Sequence, residues 1–100
     1  MVMERIIFVE YRIDPAKRDI YLKKAAEQLA NRQDVLWYEG TDQPNVFVEQ
    51  WLNSTVEQYE AMKRMRLEEQ SEWDELTDCI PGGKSKLHIW EFARVSHVSE

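Results

Sequence analysis

Alternation and helical spacing divide the chain into six segments. Residues 5–13 read as a strand, with Ile7, Val9, Tyr11 and Ile13 on one face and Ile6, Phe8, Glu10 and Arg12 on the other. Asp14-Pro15 then signals a helix start, because an aspartate can cap the free N–H groups and proline fits the first helical position. This helix is expected to run to about residue 31, with Ile20, Tyr21, Ala25 and Leu29 inward and Lys17, Arg18, Lys23, Lys24 and Glu27 in water. Residues 35–39 form a short second strand, and the turn-rich residues 40–45 return the chain into a third strand over 46–51 or 52. Ser54 and Glu57 have the spacing of a capping box, with Asn53 as a competing cap. Val56, Tyr59, Met62, Met65 or Arg66, Trp73, Leu76 and Ile80 follow near helical spacing. Glu68, Glu69 and Gln70 interrupt that stripe, so the second helix is expected to bend or break near Gln70-Ser71, or to turn Glu69 toward something polar. Pro81, Gly82 and Gly83 end it, and residues 86–95 form the last strand.

The order is β-α-β-β-α-β. Short connections and right-handed crossovers make this an α+β, ferredoxin-like βαββαβ plait with both helices on one sheet face. The opposite face is not polar. The first, third and last strands carry large apolar groups on both sides: Ile6 and Phe8 against Ile7 and Val9, Val46 and Val48 against Phe47 and Trp51, Trp90 and Phe92 against Leu87 and Ile89. At ~25 cal/mol per Å2, leaving several of these wet forgoes several kcal/mol, so a homodimer packed sheet to sheet is expected. Glu10, Arg12, His88 or Arg94 would pair charges across it.

Composition narrows the partners. One hundred residues suit a single domain, 1–100. The net charge of −6 disfavours nucleic acid and anionic membrane, both of which call for a basic face. The longest apolar run is too short to span a bilayer, and the first residues lack a signal-peptide pattern. Cys79 is alone, so no internal disulfide forms, and a reducing, cytoplasmic home is expected. Four Trp, four Tyr and three Phe are many for this length and imply aromatic surface beyond a small core.

Several residues invite a chemical reading, each beside a plainer one. Trp51 and Trp73 would wall a flat pocket or fill the core. Tyr59 would donate to a phenol or quinone oxygen, or keep its hydroxyl in water. Met62 and Met65 would touch a planar ligand or fill gaps. Glu49 would act as a base of raised pKa if it faces a pocket, and would pair with Arg12 or Arg94 if it faces a dimer partner. His88 stands without a second ligand at metal spacing, which makes it structural. The acidic run Glu68, Glu69, Glu72, Asp74, Glu75 and Asp78 lacks the alternation of a calcium loop and reads as a solvated face. Gly83-Lys84-Ser85 ends like a phosphate loop but joins helix to strand, with Asp78 where the first glycine belongs. Cys79 has no histidine or second cysteine beside it to make it a nucleophile.

Residues 9–15 (Val-Glu-Tyr-Arg-Ile-Asp-Pro), Trp37-Tyr38-Glu39 and Val48-Glu49-Gln50-Trp51 before a polar cap resemble the dimeric α/β-barrel superfamily, nearest to its antibiotic-biosynthesis-monooxygenase-like group, over residues 5–95. The resemblance implies a pocket between helices and sheet. It also implies a cofactor-independent monooxygenase acting on a small aromatic substrate, with Tyr59, Glu49 and Trp73 as catalytic groups and Tyr11, Trp51 and Met62 lining the pocket. The haem-degrading members use an asparagine where this chain has Tyr11, a tryptophan where it has Tyr59-Glu60, and a histidine that its second helix lacks. No cofactor or metal is therefore expected. The alternative is a non-catalytic dimer that binds a small ligand or serves a stress or regulatory role, with haem binding a third option.

Overall fold

Residues 4–95 are described by a computed structural model. Four strands form one antiparallel sheet: β1 (Arg5–Arg12), β2 (Val35–Glu39), β3 (Val46–Trp51) and β4 (His88–Ala93), in the order β2-β3-β1-β4. Helix α1 (Arg18–Leu29) follows a 3-10 turn, and α2 (Val56–Lys63) and the short α3 (Asp74–Thr77) complete the second layer. This is a small α+β fold compatible with the ferredoxin-like plait.

Strand register sets which side chains meet. On β1, Ile7, Val9 and Tyr11 are buried beneath the helices; Ile7 pairs with Trp51, Val9 with Glu49 and Tyr11 with Phe47. The alternate residues form the bare face. There Phe8, Trp90 and Phe92 cluster, with Phe8 ring centroids 5.9 Å from Trp90 and 5.8 Å from Phe92. Leu36 and Tyr38 on β2 are exposed on the same face. Both faces of the sheet are thus apolar, as the strand pattern predicts.

Asp14 caps the first helical turn as expected, accepting from the Ala16 N–H at 2.9 Å. Tyr21, Ala25 and Leu29 of α1 are buried, but Ile20 is 58 % exposed. Ile20 precedes Tyr21 by a single residue, about 100° around the helix, and the Tyr21 ring takes the inward position. The hairpin is pinned to α1 by Arg18, which donates to both Glu39 oxygens at 2.6 and 2.8 Å and to Asn45 Oδ1 at 2.8 Å. Asn45 has φ +70°, a left-handed turn that asparagine tolerates.

The second cap is shifted by one residue from expectation. Thr55 caps α2, accepting from Gln58 N–H at 3.0 Å while Gln58 Oε1 accepts from Thr55 N–H at 2.9 Å. Ser54 is held back because its own N–H bonds the Arg5 carbonyl at 3.0 Å, which fixes it against β1. Past Lys63 the helix widens into a π-turn, Arg64–Glu68, closed by Glu69 N–H to Arg64 O at 2.8 Å. The expected break follows: Glu69 is extended, and Ser71 Oγ joins the two sides by donating to Met65 O at 2.7 Å and accepting from Trp73 N–H at 3.2 Å. Before β4 a 3-10 turn covers Gly83–Lys86, so the last strand is shorter than the expected 86–95. Gly82 enters this turn at φ +89°, where a Cβ would also stand 2.7 Å from Lys86 Cγ.

Candidate functional site

Glu49 is a carboxylate on the apolar face of the sheet, between Phe47 and Trp51 on β3, and it is 0 % exposed. Arg66, in the π-turn, is 1 % exposed and lies opposite. A lone charge in either place would be prohibitive, because burial removes its hydration. Together they form a bidentate pair, with Arg66 Nη1 on Glu49 Oε1 at 2.6 Å and Nη2 on Oε2 at 2.9 Å. Trp51 Nε1 donates to Oε1 at 3.0 Å, and the Tyr11 hydroxyl donates to Oε2 at 2.5 Å. A carboxylate offers about four lone-pair positions, and these four donors fill them.

The hydrogen bonds continue with a fixed direction. Tyr11 gives its proton to Glu49, so the 2.7 Å contact between Tyr11 and Tyr21 has Tyr21 as donor. Tyr21 in turn accepts from Trp37 Nε1 at 3.0 Å. The order Trp37, Tyr21, Tyr11, Glu49, Arg66 crosses the space between helices and sheet. The Arg66 guanidinium also lies 4.3 Å from the Trp73 ring centroid, and its Nη1 is 3.9 Å from Met62 Sδ. Arg66 Nε is buried without a partner.

Electrostatics follow from this packing. Burial alone would raise the Glu49 carboxyl, but the Arg66 charge and the donors from Arg66, Tyr11 and Trp51 hold it below the ordinary carboxylate range. Burial, joined by the Glu49 charge, pushes Tyr11 well up; burial likewise raises Tyr21. Glu49 is therefore not a base of raised pKa, nor is it paired with Arg12 or Arg94. The latter bonds Glu4 at 3.0 Å.

Of the six residues singled out for chemistry, five gather around Arg66: Glu49, Tyr11, Trp51, Met62 and Trp73. The sixth, Tyr59, lies on α2, half-buried against the core, with Lys63 Nζ 4.4 Å from its ring centroid. Trp51 and Trp73 meet edge to face at 5.9 Å. Sequence reasoning missed the partner of Glu49. Its signal was present: an acid at an inward strand position and an arginine in the inner stripe of the second helix.

An open cleft of about 500 Å3 adjoins this cluster. Ile7, Trp51, Ala61, Met62 and Met65 give it an apolar lining, and Ser54, Gln58, Arg32 and Asp34 supply polar groups. Arg32 lies over the Trp51 ring, 4.8 Å from its centroid, and is locked to Asp34 by bonds of 3.0 and 3.1 Å. Trp51 and Met62 line this cleft; Tyr11, Glu49, Tyr59 and Trp73 do not. Among the described residues no group of three or more His, Cys, Asp or Glu is placed to hold a metal. Among the described residues no histidine lines the cleft; His88 stacks on Trp90 on the bare sheet face. Among the described residues no helix is long and apolar enough to cross a membrane.

No protein-family model matches the chain, and no curated protein does. A solved structure is similar in fold: the crystal structure of a conserved protein from Methanosarcina mazei Go1, with TM-score 0.61 at 10 % sequence identity, covering 90 % of this chain and 91 % of that chain.

Proposed function

We propose that this chain is a non-catalytic, small-ligand-binding homodimer of the dimeric α/β-barrel type, related to the antibiotic-biosynthesis-monooxygenase-like group and resident in the cytoplasm. The observation that carries the binding role is an apolar cleft beside Trp51 and Met62, next to a Glu49 whose four lone-pair positions are occupied. A cleft of this volume falls within the range of small-molecule sites, ~300–1,000 Å3. Its lining suits a small aromatic body. Titration with naphthalene-sized aromatics, followed by tryptophan fluorescence, tests this; saturable quenching supports it, and no response across a panel contradicts it.

The bare sheet face supports the dimer. Phe8, Leu36, Tyr38, Trp90 and Phe92 share it with Glu10 and Arg12, charges of opposite sign two residues apart on one strand. A two-fold axis can set Glu10 of one copy against Arg12 of the other, which makes a second copy the best-matched cover. Covering the face also removes the cluster of Phe8, Trp90 and Phe92 rings from water.

The cofactor-independent monooxygenase reading shares the cleft, because two of its pocket residues line it. It also requires a proton acceptor at the substrate, and Glu49 is closed while Asp34 is held by Arg32. Incubation with quinol-type substrates under oxygen separates the two. The binding role predicts no turnover; turnover above the uncatalysed rate would establish the enzyme.

A further inference from the structure

Where β4 begins, the sheet has a notch. Pairing of β1 with β4 ends at Glu10 and His88, yet β1 continues to Arg12, which pairs with Val46 of β3 alone. Ile13 N–H bonds Asn45 O on the β3 side and Arg94 N–H bonds Glu4 O on the β4 side, so even-numbered residues of β1 turn their peptide groups toward β4. Opposite Arg12 the chain has already turned away through the 3-10 turn Gly83–Lys86. The notch left there is a pocket of about 410 Å3. Glu10, Arg12, Lys86 and His88 line it, Val46, Ile80 and Pro81 give it apolar wall, and Gln43 adds an uncharged amide.

Free positive charge concentrates at this notch. Of the thirteen lysines and arginines, nine are ion-paired among the described residues. The other four are Arg12, Lys17, Lys23 and Lys86, and two of them line this one pocket. Lys17 is spent on the Asp78 carbonyl at 2.9 Å. His88 offers a ring N–H in either protonation state, and its ring stacks on Trp90 with centroids 5.6 Å apart and planes 6° from parallel. Glu10 is the one carboxylate among the described lining residues. Two fixed cations less one carboxylate leave a single positive charge.

We infer that the notch binds a small organic acid by a single carboxylate, held by Arg12, Lys86 and the His88 N–H, with the acid's apolar body on Val46, Ile80 and Pro81. This is a second site, since it shares no lining residue with the cleft beside Trp51. A dianion exceeds the charge on offer and is repelled by Glu10. An inorganic ion leaves most of the volume and all of the apolar wall unused. The Arg12 guanidinium has five N–H donors, enough for the ligand and for a carboxylate of a second copy across the sheet face.

The experiment adds cyclohexanecarboxylate, cyclohexanecarboxamide or cyclohexyl phosphate to the intact chain at neutral pH and follows the His88 ring protons by NMR, assigned with His88→Gln. The carboxylate should shift them saturably and bind about tenfold more tightly than the amide, the worth of one charge-assisted hydrogen bond. It should also bind more tightly than the phosphate. Lys86→Gln and Arg12→Gln should each weaken the carboxylate about tenfold with the circular dichroism spectrum unchanged, whereas Lys23→Gln, which removes an unpaired cation elsewhere, should leave binding as it was. Absence of a His88 shift, amide binding equal to the carboxylate, tighter binding of the phosphate, or full affinity in Lys86→Gln would each overturn the inference. None of these outcomes bears on the cleft beside Trp51, which the aromatic titration tests separately.

Discussion

Arg66 and Glu49 meet through two parallel hydrogen bonds at 2.6 and 2.9 Å with both side chains out of water. The pair ties β3 to the π-turn, and the walls of the cleft are built around it. Removing one partner strands the other charge in the core. Arg66→Ala and Glu49→Gln should each destabilise the chain by about 3–5 kcal/mol. Replacing both, as Glu49→Leu with Arg66→Met, should recover much of that loss. Urea unfolding of the three variants checks this.

The acid side of the stability profile should be steep. Glu39 is held at about 2, chiefly by the Arg18 hydrogen bonds and then by the Asn45 N–H; Asp34 and Glu49 are also held low. Carboxyls lowered in the folded state lend stability that is complete above their unfolded value, about 4. That stability is lost as pH falls through the folded values. Thermal midpoints should therefore drop between about pH 4.5 and 2. Glu39→Gln should flatten part of that drop, measured by circular dichroism.

The alkaline side has the opposite sign. Burial raises Tyr11 and Tyr21, so the folded chain keeps protons that the unfolded chain gives up above about pH 10. Stability should fall as pH rises past that point. Ultraviolet titration should show two of the four tyrosines failing to ionise until the chain unfolds.

The cap of α2 offers a local test. Thr55→Ala removes the acceptor for Gln58 N–H and should cost about 1 kcal/mol, whereas Ser54→Ala should cost little, because its hydroxyl bonds nothing. Parallel thermal melts separate them.

The bare sheet face should control assembly. The chain is expected to sediment as a dimer at micromolar concentration, and Trp90→Glu with Phe92→Glu should yield a folded monomer. A wild-type monomer at that concentration would contradict the proposed dimer.

The sheet was largely legible in the sequence because its period is two. Ile7, Val9 and Tyr11 face the helices and Phe8 does not, as alternation requires. The helices were less legible. Ser54-Glu57 and Thr55-Gln58 both satisfy the capping-box spacing, and the Ser54 N–H bond to β1 decides between them. Ile20 and Tyr21 compete for one inward position, which helical spacing alone does not award. The break at Ser71 was readable from the missing apolar partners. The Glu49–Arg66 pair was readable only as two separate inward charges, because neither residue names its partner until the strand and the π-turn are brought together. Tyr59 suited a site by its place on the second helix; its ring packs against the core with Lys63 Nζ above it.

The proposed role has a small aromatic ligand occupy the cleft beside Trp51 and Met62 without reacting there. It is tested most directly by methionine-methyl NMR during addition of 2-naphthol, with the ligand assayed afterwards. Saturable shifts of the Met62 and Met65 methyls and unchanged 2-naphthol are expected. No shift at either methyl, or conversion of the ligand under oxygen, would contradict it.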